Sequence, residues 1–181
     1  MKAAAGFTMI ELLVVITIVA ILMGIGAPSY KYVTNSNRMS AEVNGLLGDM
    51  QLARAEAVKD GMSVTVCSSN DQLKCSGSSD WSSGWIVFTD PNGVGVVDPS
   101  ETILRAQKAL HAGDTLVDQT GTLSKATFNR AGLLSFTGMP VDGITLTLHD
   151  PSGARDHTRC LWIASQGLIT TQTPATGPGC K

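Results

Sequence analysis

One stretch near the start of the chain, residues 7–28 (FTMIELLVVITIVAILMGIGAP), constrains everything after it. It is almost wholly apolar, and from Leu12 to Ala27 it carries no charge. A helix rises about 1.5 Å per residue, so crossing a hydrocarbon core of about 30 Å takes about 20 residues. The stretch is just long enough. Lys2 precedes it, which predicts a cytoplasmic start by the positive-inside rule and the remainder of the chain outside. Glu11 is the anomaly. A carboxylate at membrane depth costs about 2.5–3.5 kcal/mol on insertion scales, so such an acid is a functional candidate by default.

Three readings compete for this stretch. A secretory signal would have a longer charged region and a small-residue cleavage site after the apolar core. Here the small residues, Ala3 to Gly6, come before it. A plain membrane anchor leaves Glu11 without a purpose. Cleavage after Gly6 would make Phe7 a new N-terminus, and its free α-amine and the Glu11 carboxylate could then neutralise each other between neighbouring helices.

Gly6-Phe7-Thr8-Met9-Ile10-Glu11 followed by an apolar run resembles the class III leader of type IV pilins and type II secretion pseudopilins. The resemblance implies that a prepilin peptidase cuts between Gly6 and Phe7 and methylates Phe7. It also implies that Glu11 guides the subunit into a filament and that the helix kinks at Pro28. Further along, Gln51-Leu52-Ala53-Arg54-Ala55-Glu56-Ala57 and Val64-Thr65-Val66-Cys67-Ser68-Ser69 are similar to the GspH/FimT family of minor pilins and pseudopilins. Asp80-Trp81-Ser82-Ser83-Gly84-Trp85-Ile86-Val87-Phe88, Ile103-Leu104-Arg105 and Phe128-Asn129 through Gly132 look more like the pilus branch than the secretion branch.

Residues 39–58 put apolar side chains at Met39, Val43, Leu46, Leu47, Met50, Ala53, Ala57 and Val58, a helical face. Asp60-Gly61 supplies the stop, glycine being the usual residue just past a helix end. Proline breaks the backbone ladder, so Pro28 predicts a bend before this amphipathic half. After Gly61 the pattern alternates. Strands are expected at residues 62–67, 84–89 and 102–110, with weaker ones at 126–129, 133–136, 144–149 and 161–165. Short strands separated by glycine turns indicate an antiparallel β domain. Residues 170–181 hold two prolines and two glycines and read as irregular. The expected class is therefore α+β. Residues 1–6 form a leader, 7–28 a membrane or filament-core helix, 29–60 its amphipathic half, and 61–181 a β-rich globular domain. The resemblance gives this arrangement its name, the type IV pilin fold, with the long helix packed on the β domain.

The chain has 181 residues and a net charge of −2, or −3 without Lys2. Beyond Gly61 it holds eight Lys/Arg against ten Asp/Glu, so no strongly basic nucleic-acid surface is announced. Cys67, Cys75, Cys160 and Cys180 are an even count in a domain expected outside, which predicts disulfides. Three pairings are possible, and short loops favour Cys67–Cys75 with Cys160–Cys180. A zinc site would call for close ligand pairs such as CxxC, and none occurs.

Three further constellations carry chemistry. Residues 90–101, taken as a twelve-residue loop, offer calcium ligands at Asp90, Asn92, Asp98 and Glu101 with Gly95 at the turn. Against this, Val94 stands where an oxygen ligand belongs, and Pro91 and Pro99 stiffen the loop, so a Pro-Asn-Gly turn is the plainer reading. Trp81 and Trp85 flank a strand and are either core or a stacking platform for nucleic acid. Arg155, Arg159 and Lys181 are the basic residues near the C-terminus. DNA-binding FimT proteins of natural transformation would call for Gly-Arg-x-Arg there, whereas Gly167 is followed by Leu168, Ile169 and Thr170. DNA is therefore not the favoured partner. His111, His149 and His157 sit in no nucleophile motif, and no phosphate-binding glycine loop is present.

The resemblance implies a non-enzymatic subunit without a cofactor, anchored once in a bacterial inner membrane with its globular part in the periplasm, and assembled into an extracellular pilus. It is itself a substrate of the peptidase. Its implied partners are other major and minor pilins, the prepilin peptidase and the inner-membrane assembly platform. The alternatives are a DNA receptor of the competence pilus and a minor pseudopilin of type II secretion.

Overall fold

The computed structural model describes residues 6–135, 143–177 and 179–180. Lys2, Phe136 and Lys181, singled out above, lie outside them, as do the side chains at 26–28. Two compact units divide the chain, Met1–Asn37 and Arg38–Lys181.

Helix α1 spans Met9–Asp60. Its start is fixed by Thr8 and its end by Gly61, whose φ of 66° is open to glycine at no steric cost. Helical backbone runs unbroken through Pro28. A proline removes only one N–H from the ladder, the donor to the carbonyl four residues back, and the turns on either side keep theirs.

In the second unit, residues Met39, Val43, Leu46, Met50, Ala53 and Ala57 of α1 are all buried. They recur every three or four residues and form one stripe. Leu47 is only partly buried and Val58 is 54% exposed, so the apolar face is narrower than the sequence pattern suggests.

Nine strands follow among the described residues: β1 (Val64–Ser68), β2 (Trp85–Thr89), β3 (Ile103–Gln107), β4 (Thr115–Asp118), β5 (Lys125–Phe128), β6 (Leu134–Ser135), β7 (Ile144–His149), β8 (Arg159–Ile163) and β9 (Ile169–Gln172). They form two antiparallel sheets, ordered β3-β2-β1-β5-β6 and β4-β7-β8-β9. The stripe of α1 shares one core with Val64, Val66, Trp85, Val87, Ala126 and Phe128 of the first sheet. Leu116, Leu146, Leu148, Leu161 and Ile163 of the second sheet complete it.

Strands β1 and β2 are buried on both faces. Side chains alternate across a strand, so Cys67, Ile86 and Phe88 point away from the helix. There they meet Cys75, Val97 and Ile103 in a second, smaller core. The Cys67–Cys75 disulfide closes it, and Cys160–Cys180 ties residue 180 to β8.

Two strands correct the sequence reading. Strand β4 lies outside the strands the sequence predicts, and β9 occupies residues 169–172, where the sequence reads as irregular from 170. Each is four residues long and holds few buried apolar side chains. Their extended form comes from pairing to β7 and β8, which their own sequences do not encode.

Candidate functional site

The start of α1 is where the sequence concentrates its unusual residues. Thr8 and Glu11 form a reciprocal capping box. The Glu11 backbone N–H donates to Thr8 Oγ1 at 3.2 Å, and the Thr8 N–H donates to Glu11 Oε2 at 3.5 Å. The Leu12 N–H closes the first turn on the Thr8 carbonyl at 3.1 Å. The acid thus satisfies a free amide of the first turn and lies at the positive end of the helix dipole. The spacing Thr-x-x-Glu ahead of an apolar run is the signal for this box, and reading Glu11 solely as an intramembrane acid passes over it.

From Leu12 to Ile25, α1 is apolar on every side. An 18-residue window has a mean hydropathy of 2.6 and none of it is buried. Consecutive residues Leu12, Leu13, Val14, Val15 and Ile16 are all exposed, so no single face is set aside for a core. Among the described residues this is the one helix long and apolar enough to cross a membrane.

The remaining candidates lie in the β domain. Asp90 is fully buried, and its carboxylate accepts from Thr65 Oγ1 at 2.6 Å, Val94 N–H at 3.1 Å and Gly95 N–H at 2.9 Å. Asn92 turns its amide N–H to Asp98 at 3.0 Å, and Glu101 accepts from the Asp98 N–H at 2.9 Å. These oxygens are used in making the turn, and the described residues contain no cluster of three or more acidic, His or Cys side chains able to hold a metal.

Trp81 and Trp85 are core residues, 0% and 1% exposed, with no face open for a base. Each buried indole finds an acceptor: Trp81 Nε1 donates to the Leu123 carbonyl at 2.9 Å, and Trp85 Nε1 to Asp49 Oδ2 at 2.8 Å. Arg159 is held by Ser40 Oγ and by the carbonyls of Asp156 and Thr158, at 3.1, 2.9 and 2.9 Å. Its neighbour Arg155 is exposed. With one arginine engaged within the fold and both tryptophans enclosed, the reading as a DNA receptor finds no support. His149 contacts Thr158 Oγ1 at 3.1 Å, His157 is buried and His111 is exposed, so the three histidines share no site.

Comparison with known proteins agrees with this geometry. A family model described as type II transport protein GspH matches residues 42–167, and the prokaryotic N-terminal methylation motif matches residues 1–27. The type II secretion system protein H of Pseudomonas aeruginosa PAO1 is 37% identical over 60 residues. That alignment covers 33% of this chain and 35% of the relative, so about a third of the relative's length is matched. The type IV minor pilin FimU of P. aeruginosa PAO1 superposes with a TM-score of 0.53 at 20% identity, over 84% of this chain and 96% of that one. The minor pseudopilin EpsH of the Vibrio cholerae type 2 secretion system gives 0.52 at 13% identity, over 76% and 98%. Both likenesses are of fold. The GspH model covers well over half of the chain, which belongs to the GspH family of pilin-fold structural subunits.

Proposed function

We propose that this chain is a minor pilin, a non-catalytic subunit that helps initiate or cap a type IV pilus together with other pilins. The observation that carries this reading is the start of α1: an apolar helix that begins two residues after the Gly6-Phe7 bond and whose first acid, Glu11, is fixed at its N-terminal rim. The segment inserts with Lys2 on the cytoplasmic side and the globular part in the periplasm. A prepilin peptidase hydrolyses the Gly6–Phe7 amide, and the freed amine of Phe7 is methylated. That amine remains cationic, and in an apolar bundle it needs an anion within reach. The Glu11 carboxylate of a neighbouring subunit supplies it, so each charge offsets the other's desolvation. The capping box keeps the carboxylate level with the new chain start. Residues 12–28 then bundle with neighbouring helices, the inner-membrane assembly platform adds the subunit, and the β domain stays at the periphery.

Mass spectrometry of the protein recovered from filaments of its native host tests this. A mature chain beginning at N-methylated Phe7 is the expected result. Retention of residues 1–6 in assembled material, or normal incorporation of a Glu11→Ala variant, would overturn it. A second reading, a minor pseudopilin of type II secretion, is favoured by the 60-residue match to the type II secretion system protein H. Deletion separates the two: loss of twitching supports the pilus, and loss of exoprotein secretion supports the secretion apparatus.

A further inference from the structure

Two acids meet where the connection between β3 and β4 lies against α1. Glu42 projects from the helix, and Asp114 closes the turn that begins at His111, its N–H donating to the His111 carbonyl at 2.9 Å. The Asp114 side chain is fully enclosed and that of Glu42 is 15% exposed. One cation serves both. Arg38, one turn before Glu42, is ion-paired to Asp114 Oδ2 and lies 3.9 Å from Glu42 Oε1. Glu42 Oε1 also accepts the His111 backbone N–H at 3.4 Å, while the exposed His111 contributes its main chain alone.

The other two oxygens are anomalous. Glu42 Oε2 and Asp114 Oδ1 are buried, and neither has a hydrogen-bond partner. The shared Arg38 guanidinium, through the same Nη1, brings the two carboxyl groups side by side. Two ionised carboxylates so placed repel, and each leaves a desolvated acceptor without a donor. A single proton between them removes both faults. It turns one acceptor into a donor, and it leaves one negative charge to balance the one guanidinium.

We propose that Glu42 and Asp114 share one proton in the folded domain, and that this carboxyl–carboxylate contact is an acid-strengthened clamp between α1 and the β3–β4 connection. Asp114 is the acid paired directly with Arg38, so the proton rests on the Glu42 side of the contact. Burial, and after it the charge of Asp114, raise the Glu42 pKa above its ordinary value, against the smaller opposing effects of the His111 N–H and Arg38. A group whose pKa is raised by folding contributes stability that is complete below its unfolded value and is lost as pH climbs through the raised one. The clamp therefore tightens on acidification and loosens toward alkaline pH.

The test compares the full chain in detergent with its Glu42→Gln variant by thermal unfolding from about pH 4 to about pH 8. Glutamine keeps an acceptor for His111 and offers Asp114 a permanent donor. The wild-type midpoint should fall relative to the variant as pH rises, with the two converging at the acid end. A difference that does not change with pH would overturn the proposal. Carboxyl ¹³C titration of the wild type gives an independent reading that holds even if the variant fails to fold. The chain has only four glutamates, at 11, 42, 56 and 101, so the Glu42 signal is assignable. It should titrate above the ordinary glutamate value of about 4.3, and a midpoint at or below that value would refute the shared proton.

Discussion

Replacing Trp85 by Phe tests how the helix is held on the first sheet. The indole is buried in the common core, and its N–H donates to the Asp49 carboxylate of α1 at 2.8 Å. The substitution keeps an aromatic ring but deletes the donor and part of the buried surface. Losing about 40 Å² of ring at about 25 cal/mol per Å² costs about 1 kcal/mol. A hydrogen bond to a charged group contributes about 1.5–3 kcal/mol. Asp49 is only half-buried, so water partly replaces the lost donor and the low end of that range applies. The sum is about 2.5 kcal/mol, a fall in Tm of about 5–10 °C for a chain of this size. Unfolding followed by circular dichroism, in a cycle with Asp49→Ala and the double variant, isolates the bond. A coupling energy of about 1.5 kcal/mol is expected. Strictly additive single effects would show that the indole contributes packing alone and that the tie to α1 is energetically idle.

Three other outcomes follow from the same structure. Removing the Cys160–Cys180 bridge by paired serine substitution frees a separation of 20 residues and should cost about 3 kcal/mol in the chain-entropy model, read as a lowered urea midpoint. At Gly84, φ is 106° and an added Cβ would fall inside contact distance of the Gln107 carbonyl oxygen and 2.9 Å from the Lys108 carbonyl carbon, both rigid backbone. Gly84→Ala should therefore cost about 3 kcal/mol or more, whereas Gly61→Ala, with open space around it, should cost only about 1 kcal/mol. For Asp118, burial alone would raise the pKa, but bonds from the Thr120 hydroxyl and the N–H groups of Thr120, Leu123 and Thr122 prevail and lower it. Its stabilisation is complete above the ordinary carboxylate range and is lost as pH falls through the lowered value, so Asp118→Ala should weaken the neutral-pH fold and flatten its acid-unfolding limb.

The sequence announces what is local. The Gly6-to-Glu11 run, the stripe from Met39 to Ala57 and the glycine at 61 each act within a few residues, so their order in the chain is their order in space. Strand β7 is legible for the same reason: residues 144–149 alternate apolar and Thr, and Ile144, Leu146 and Leu148 are buried as that alternation predicts. What the chain does not announce depends on distant partners. Strand β9 has one buried apolar residue, Ile169, and becomes a strand because β8 offers it a ladder. Asp90 spaces like a ligand, but Thr65, brought beside it by the β1–β2 pairing, takes up its carboxylate. Glu42 and Asp114 lie far apart in the chain, and nothing near either foretells that they meet.

Every buried apolar side chain among the described residues falls between Met39 and Cys180. The domain beyond Arg38 thus owes its cohesion to itself, and the greasy segment ahead of it is free to be judged by other criteria. Under the proposed function, selection acting on residues 7–28 is then selection on fit to neighbouring chains, unconstrained by the need to keep a core intact. Conversely, surface loops on the β domain can diversify without disturbing how the chain is anchored. A mutation in one part should leave the other's performance untouched, a modularity that suits a subunit whose two ends answer to different surroundings.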